Sequence, residues 1–349
     1  MKNKKLKKIL TIFAVIVFIP AALVLIYTRH MHYDIEAHVS YNADVMDAEG
    51  KSHSEPSVVY MTDEISPEAL MRIYETLDVH PEGNVAIKLS TGEAGNPNYL
   101  DPNLIKDLVQ SVDGTIIECN TAYSGSKRAD TAMHRQVAKE HGFTDIADVD
   151  IMDENGYIKI PVEGGDHLEE NWVGQDLANY DYVLVLSHFK GHPMGGFGGA
   201  LKNISIGIAS REGKVRIHSG GLSSRPPIDL VSLITNQDVF TESMAEAAKS
   251  VHDYEDHGNS IVYISVMNHM SVDCDCVSTP AEVDMHDIGI LASKDPVALD
   301  QACVDLVFEA KDGASLQGRI LEKNGIHILT HAEKIGLGSR VYRLESIDE

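Results

Sequence analysis

The stretch SHFKGHPMGGFGGALKN, residues 187–203, packs two histidines, two lysines and five glycines into seventeen positions. Imidazoles titrate near neutrality and ligate transition metals, and ammonium groups hold anions or serve as nucleophiles once deprotonated. Glycines let a ligand lie against backbone, and the amides entering the following helix can hold an anion. The spacing fits neither the phosphate-binding P-loop nor the dinucleotide fingerprint. His188, Lys190, His192 and Lys202 are therefore candidate site residues, with Gly195, Gly196, Gly198, Gly199 and Asn203 as the positions that would let a ligand approach.

A second constellation is DCDC, Asp273 to Cys276, which offers two thiols and two carboxylates. Cys274 and Cys276 are separated by one residue, a poor geometry for pairing with each other. Metal binding, pairing with a distant cysteine and two free thiols are the open readings. His134 and His141, seven apart, share a helix face and read as structural. Asp287 and Asp300 read as residues that fix the turn into a helix.

The elements that must position these groups follow a repeating order. Apolar, β-branched runs such as SVVYMT, NVAIKLS, GTIIECN, YDYVLVLS, IVYISVMN and DIGILAS alternate with polar loops and amphipathic helices. Helices are expected near Pro102–Val112, up to about His141, and after Asp295, an N-cap followed by Pro296 at the first helical position. Such alternation predicts an α/β fold with a largely parallel sheet and flanking helices, in one or two lobes. Ligands of such sheets bind beyond the carboxyl ends of the strands. Five loops expected there carry the unusual residues: Glu93 and Asn96; Asn120, Tyr123 and Arg128; His188, Lys190 and His192; His269, Cys274 and Cys276; Lys294 and Asp295.

The N-terminus has a different composition. MKNKKLKK precedes an uncharged apolar run of about twenty residues, long enough to span a bilayer as a helix, and the lysines keep that end in the cytoplasm. Residues 1–28 therefore read as a single-pass transmembrane signal anchor, with a cleaved signal peptide as the alternative. Residues 29–56 read as a polar stalk, and 57–349 as an extracytoplasmic α/β domain. The net charge is −24 overall, and the first 30 residues contribute six cations and no acid, so the remainder sums to −30. So acidic a surface repels phosphate backbones and excludes nucleic acid as a partner. Four cysteines are too few for a disulfide-built scaffold.

From Ser57 onward the chain resembles a bacterial and archaeal family of unknown function, often described as uncharacterized Fe–S centre proteins. The motifs that carry the resemblance are GEAGNPNYLDP, HGF, SHFKGHPMGGFGGALKNISIGIASREGK, CDC with DIGILASKDPVALDQACVDLV, and HAEKIGLG. That family commonly carries a ferredoxin-like insert after the segment matching GKVRIHS. Here that place reads GGLSSRPPIDLVSLITNQDVF, without a cysteine. Each ferredoxin cluster needs four cysteine ligands, so no ferredoxin-type Fe–S cluster is expected.

A second, more distant similarity lies around GFGGALK, where His192, Lys202 and His218 are spaced ten and sixteen apart. This looks like the cofactor region of lactate racemase-like enzymes, which use a nickel-pincer nucleotide. The resemblance implies Lys202 as the cofactor tether, His218 as a metal ligand and His192 as acid or base. Together these readings give His188, His192 and Lys202 as catalytic candidates. The cofactor-binding candidates are Lys190, Gly195, Gly196, Gly198, Gly199, Asn203, His218, Glu93 and Asn96. Cys274, Cys276 and His218 are the metal candidates, for a transition metal of unknown identity. The expected function is a membrane-anchored, metal- or cofactor-dependent enzyme of redox or isomerase type acting on a small molecule. The alternative is a non-catalytic extracytoplasmic binding protein for a small anion or a metal.

Overall fold

Alternating apolar runs build a sheet buried on both faces. A computed structural model of the chain describes residues 56–229 and 232–348. Eight strands form the main sheet in the order β12-β1-β11-β10-β7-β2-β3-β4. They span Ser57–Thr62 (β1), Val85–Lys88 (β2), Thr115–Glu118 (β3), Val149–Ile151 (β4), Tyr182–His188 (β7), Ile261–Met267 (β10), Gly289–Ser293 (β11) and Tyr342–Ser346 (β12). Two small hairpins stand apart from it: β5 with β6 (Tyr157–Pro161, Glu170–Gly174), and β8 with β9 (Lys190–His192, Gly196–Gly198). The described residues thus share a single main sheet, the first of the two arrangements expected.

Side chains alternate along each strand and feed two cores. Val183 and Val185 belong to one, and Leu184 and Leu186 to the other. The second core is closed by α1 (Pro67–Thr76) and α2 (Pro102–Ser111), with Leu70, Ile73, Ile105 and Leu108 facing inward. The first lies under α4 (Ala200–Ser205), α6 (Gln237–Tyr254), α7 (Pro296–Glu309) and α9 (His327–Lys334), with Leu201, Met244, Leu299 and Leu329 buried. The remaining helices are α3 (Thr131–Glu140), α5 (Arg211–His218) and α8 (Ala314–Glu322). Helix starts follow local chemistry: Ser66, Asp101, Asp130, Ser210, Asn236 and Asp295 each accept a backbone N–H of the first turn.

The sheet departs from the expected pattern at β11, which is antiparallel to both neighbours, β1 and β10. Its carboxyl end therefore lies at the opposite edge from those of β2, β3, β7 and β10. There Asp295 accepts from Ser57 Oγ at the start of β1, at 2.7 Å, and from Ser339 N, at 2.8 Å. Lys294 and Asp295 do not join the other loops, so four rather than five converge. The expected anchor and stalk lie outside the described residues, except for Pro56. Among the described residues no helix is long and apolar enough to cross a membrane.

Candidate functional site

Four of the parallel strands, β2, β3, β7 and β10, end around one cavity of about 110 Å³. Lys88 ends β2, Glu118 ends β3, Ser187 and His188 end β7, and Cys274 to Cys276 follow β10. Lys202 and Asn203 from α4, and Lys214 and His218 from α5, close the wall. Asn203 clasps two strand ends: its Nδ2 donates to Lys88 O and Leu186 O, and its Oδ1 accepts from Lys88 Nζ at 2.8 Å.

Charge on this wall is unbalanced. Lys88, Arg128, Lys190, Lys202 and Lys214 face only two carboxylates, Glu118 and Asp275, among the described lining residues. Glu118 accepts from Arg128 Nη1 at 3.0 Å, His134 Nε2 at 3.1 Å and Thr91 Oγ1. Burial alone would raise its carboxyl, but Arg128 and His134 outweigh that and hold it well below the ordinary range. Asp275 stands likewise: burial opposes ionisation, while His188 and Lys190 overcome it. Lys190 Nζ reaches Asp275 Oδ1 and Asn98 O, both at 2.9 Å, and Lys214 Nζ donates to Ala209 O at 2.5 Å. Lys202 Nζ has no hydrogen-bond or ion-pair partner among the described residues. Burial lowers the Lys202 ammonium to about 8; Asp275 opposes the fall, and Arg128 and Lys214 add to it. Lys88 is lowered to about 8, again chiefly by burial, with Glu118 opposing.

The three histidines of the wall are wired differently, and the wiring assigns their chemistry. His192 Nδ1 accepts from Gly195 N at 2.8 Å, so the neutral ring carries its proton on Nε2 and presents a donor. Burial, then the charges of Lys202 and His218, hold its pKa well below the usual value. His218 is the reverse case. Its Nδ1 donates to Lys214 O at 2.6 Å, which leaves the lone pair on Nε2, a buried atom without a partner. Burial lowers His218 to about 4, against the pull of the Lys214 carbonyl. A carbonyl-anchored Nδ1–H with an open Nε2 is the usual arrangement of a metal-ligating or basic imidazole. His188 faces two acceptors, Asp275 Oδ2 at 3.0 Å and Asn268 O at 2.8 Å. Both nitrogens are committed, so His188 positions Asp275 and has no lone pair for the cavity.

Several expected roles shift. The amides entering α4 do not await an anion, because Asp300 on α7 already accepts from Ala200 N at 2.7 Å and Leu201 N at 2.9 Å. Gly199 is there because a Cβ would overlap the Asp300 carboxylate, and Gly196 because its Cβ would come within 2.9 Å of Gly325 Cα. These glycines serve close contact of chain with chain. Gly198 and Gly199 line the cavity, but Gly195 and Gly196 do not. Glu93 and Asn96 also lie off the wall and brace its loops. Glu93 accepts from Ser126 Oγ at 2.5 Å, and Asn96 Nδ2 donates to Val277 O at 2.7 Å. Cys274 and Cys276, expected not to pair with each other, form a disulfide, because the turn at Asp275 brings their Cα atoms to 5.3 Å. As a disulfide they offer a metal no thiolate.

Lys88, Glu118 and Lys214 were not singled out as site residues from the sequence, and Asp275 was noted only as a carboxylate of DCDC. A lysine closing VAIK and a glutamate closing TIIE, at the ends of otherwise apolar runs, are the signal that could have found the first two.

No curated protein matches the chain. Among solved structures, a lactate racemase apoprotein from Thermoanaerobacterium thermosaccharolyticum overlaps at a TM-score of 0.44. It is 14% identical, over 73% of this chain and 57% of that one. A protein from Thermotoga maritima solved by a structural genomics consortium overlaps at 0.40, 13% identical, over 69% and 58%. The chain thus spans less than two thirds of either protein, and neither overlap bears on the chemistry of the cavity. Residues 85–305, well over half of the chain and all four of the site's strands, match the family described as Domain of unknown function (DUF362), and the chain belongs to that family.

Proposed function

We propose that this protein is a metal- or cofactor-dependent enzyme, of isomerase or redox type, acting on a small anionic molecule in the cavity at the carboxyl ends of β2, β3, β7 and β10. One observation carries the reading: Lys202 Nζ without a partner, the orphaned Nε2 of buried His218 and the N–H of neutral His192 line the same cavity. The excess of lysine and arginine selects an anion, and an uncompensated ammonium is what an incoming carboxylate or phosphate would neutralise.

The donor set fits a tethered, metal-bearing cofactor of the kind implied by the resemblance around GFGGALK. Lys202 supplies a primary amine that is partly unprotonated near neutrality, and His218 supplies a lone pair fixed by the Lys214 carbonyl. When bound, such a group would supply a transition-metal centre. His192 acts as a hydrogen-bond donor to substrate, because its other nitrogen is held by Gly195 N–H. The lysine-flanked apolar run of residues 1–28 supports placing the domain outside the cytoplasm.

Elemental analysis of the protein purified from its native membrane tests the reading, with Lys202→Ala, Lys202→Arg and His218→Ala alongside. Bound metal or cofactor should be lost in all three variants while the fold is kept. Wild-type protein free of both would end the enzyme reading. The positive wall also favours a second reading, a non-catalytic anion-binding protein; saturable anion binding without turnover would select it.

A further inference from the structure

The proposed function leaves one bond of the cavity wall unused. Cys274 and Cys276 both line the cavity and are joined by a disulfide across two positions of sequence. So short a loop removes little freedom from the unfolded chain, so support of the fold does not account for the bond. The segment is held without it. Asp275 is hydrogen-bonded to His188 and ion-paired with Lys190, its carbonyl accepts from Glu93 N at 2.7 Å, and Arg319 Nη1 donates to Val272 O at 3.0 Å. Opening the disulfide would leave both sulfurs facing the cavity.

Their surroundings favour thiolates. A ring nitrogen of His192 and the two sulfurs lie within 4.8 Å of one another, and Lys202 lines the same wall. Hydrogen-bond donors and positive charge stabilise a thiolate, as nucleophile or as leaving group. Cys276 is half-buried and Cys274 buried, so an incoming thiol meets Cys276 first and expels Cys274 toward the cations.

We propose that Cys274 and Cys276 form a working dithiol–disulfide couple that exchanges with a small carboxylate-bearing thiol. The external thiolate attacks Cys276 Sγ, the Cys274–Cys276 bond breaks, and Cys274 leaves as a thiolate beside a mixed disulfide on Cys276. A second external thiolate attacks the external sulfur of that mixed disulfide and releases Cys276. The external thiols depart as a disulfide, oxidised by two electrons, and the protein pair is reduced by the same two. The reverse sequence oxidises the pair. This inference rests on the place of the disulfide in the cavity and does not require the cofactor reading.

The test exposes the native protein to mercaptoacetate or cysteamine at equal thiolate concentration, followed by alkylation and mass spectrometry of the peptide holding both cysteines. Mercaptoacetate should open the pair at least about tenfold faster than cysteamine, at the lower end of what electrostatic steering achieves. Lys202→Met should shrink that preference. In Cys274→Ser, treated instead with the disulfide of mercaptoacetate, the Cys276 thiolate should attack that disulfide, release one mercaptoacetate thiolate and remain as a trapped mixed disulfide. A pair that opens only after denaturation in urea, or that responds equally to both thiols, overturns the proposal. Loss of metal in His218→Ala with thiol exchange intact would leave this couple standing whatever becomes of the proposed enzyme.

Discussion

Asp300 and Gly199 interlock: the Asp300 carboxylate fills the space a Gly199 side chain would need and caps the first amides of α4. The helix that presents Lys202 is therefore fixed by a carboxylate from another helix. Asp300→Ala leaves two buried N–H groups unpaired, at a cost of about 2–5 kcal/mol. Urea unfolding should show that loss, and Gly199→Ala should also destabilise, by clash instead. A variant as stable as the parent would mean that the amides find other partners.

Glu118 is the buried anion against which Arg128 and His134 are set. Glu118→Ala strands both, and breaking a buried pair in this way costs about 3–5 kcal/mol. Thermal unfolding of the variant reads this directly. Arg128→Met together with Glu118→Met should recover part of the loss, because the pair is then removed whole.

The two depressed lysines give the cavity a pH signature. Lys88 and Lys202 lose their protons from about 8 in the folded chain, against 10.5 as the ordinary value. Anion affinity should fall as pH rises through about 8, where ordinary lysines would still be charged. Between those limits the unfolded chain binds more protons than the folded one, so stability without ligand should rise with pH. Calorimetric titration of an anion across this range checks the first expectation, and denaturant unfolding the second. Flat profiles would show that these ammonium groups are better solvated than their burial implies.

The topology expected from the lysine-flanked N-terminus has its own test. Protease added to intact cells should digest the chain beyond residue 30, while a reporter fused ahead of it stays protected. A fully protected domain would place it inside the cell.

Purified protein should show no visible absorbance of a ferredoxin-type cluster, even when prepared without oxygen. Among the described cysteines two are in a disulfide, and Cys119 and Cys303 are buried. Stoichiometric iron with acid-labile sulfide would contradict this.

What the sequence determined alone were the features set by neighbours along the chain. Strands such as YVLVLS and caps such as Asp295 before Pro296 depend on local periodicity and on hydrogen bonds spanning two or three residues. The grouping of His192, Lys202 and His218 came from the resemblance around GFGGALK, and the structure brings the three to one cavity wall, Lys202 and His218 from helices rather than from strand-end loops. Tertiary structure alone decided the direction of β11, and with it the removal of Lys294 and Asp295 from the rim, since strand direction follows from pairing with distant β1 and β10. It alone gave the glycines their purpose: Gly199 makes room for Asp300, a hundred residues away. It also decided which imidazole nitrogen is open. Gly195 N–H turns His192 into a donor, the Lys214 carbonyl leaves His218 with a free lone pair, and Asp275 with Asn268 occupies His188 completely. Residue type says that a histidine can do any of these things, and only its contacts in three dimensions select one.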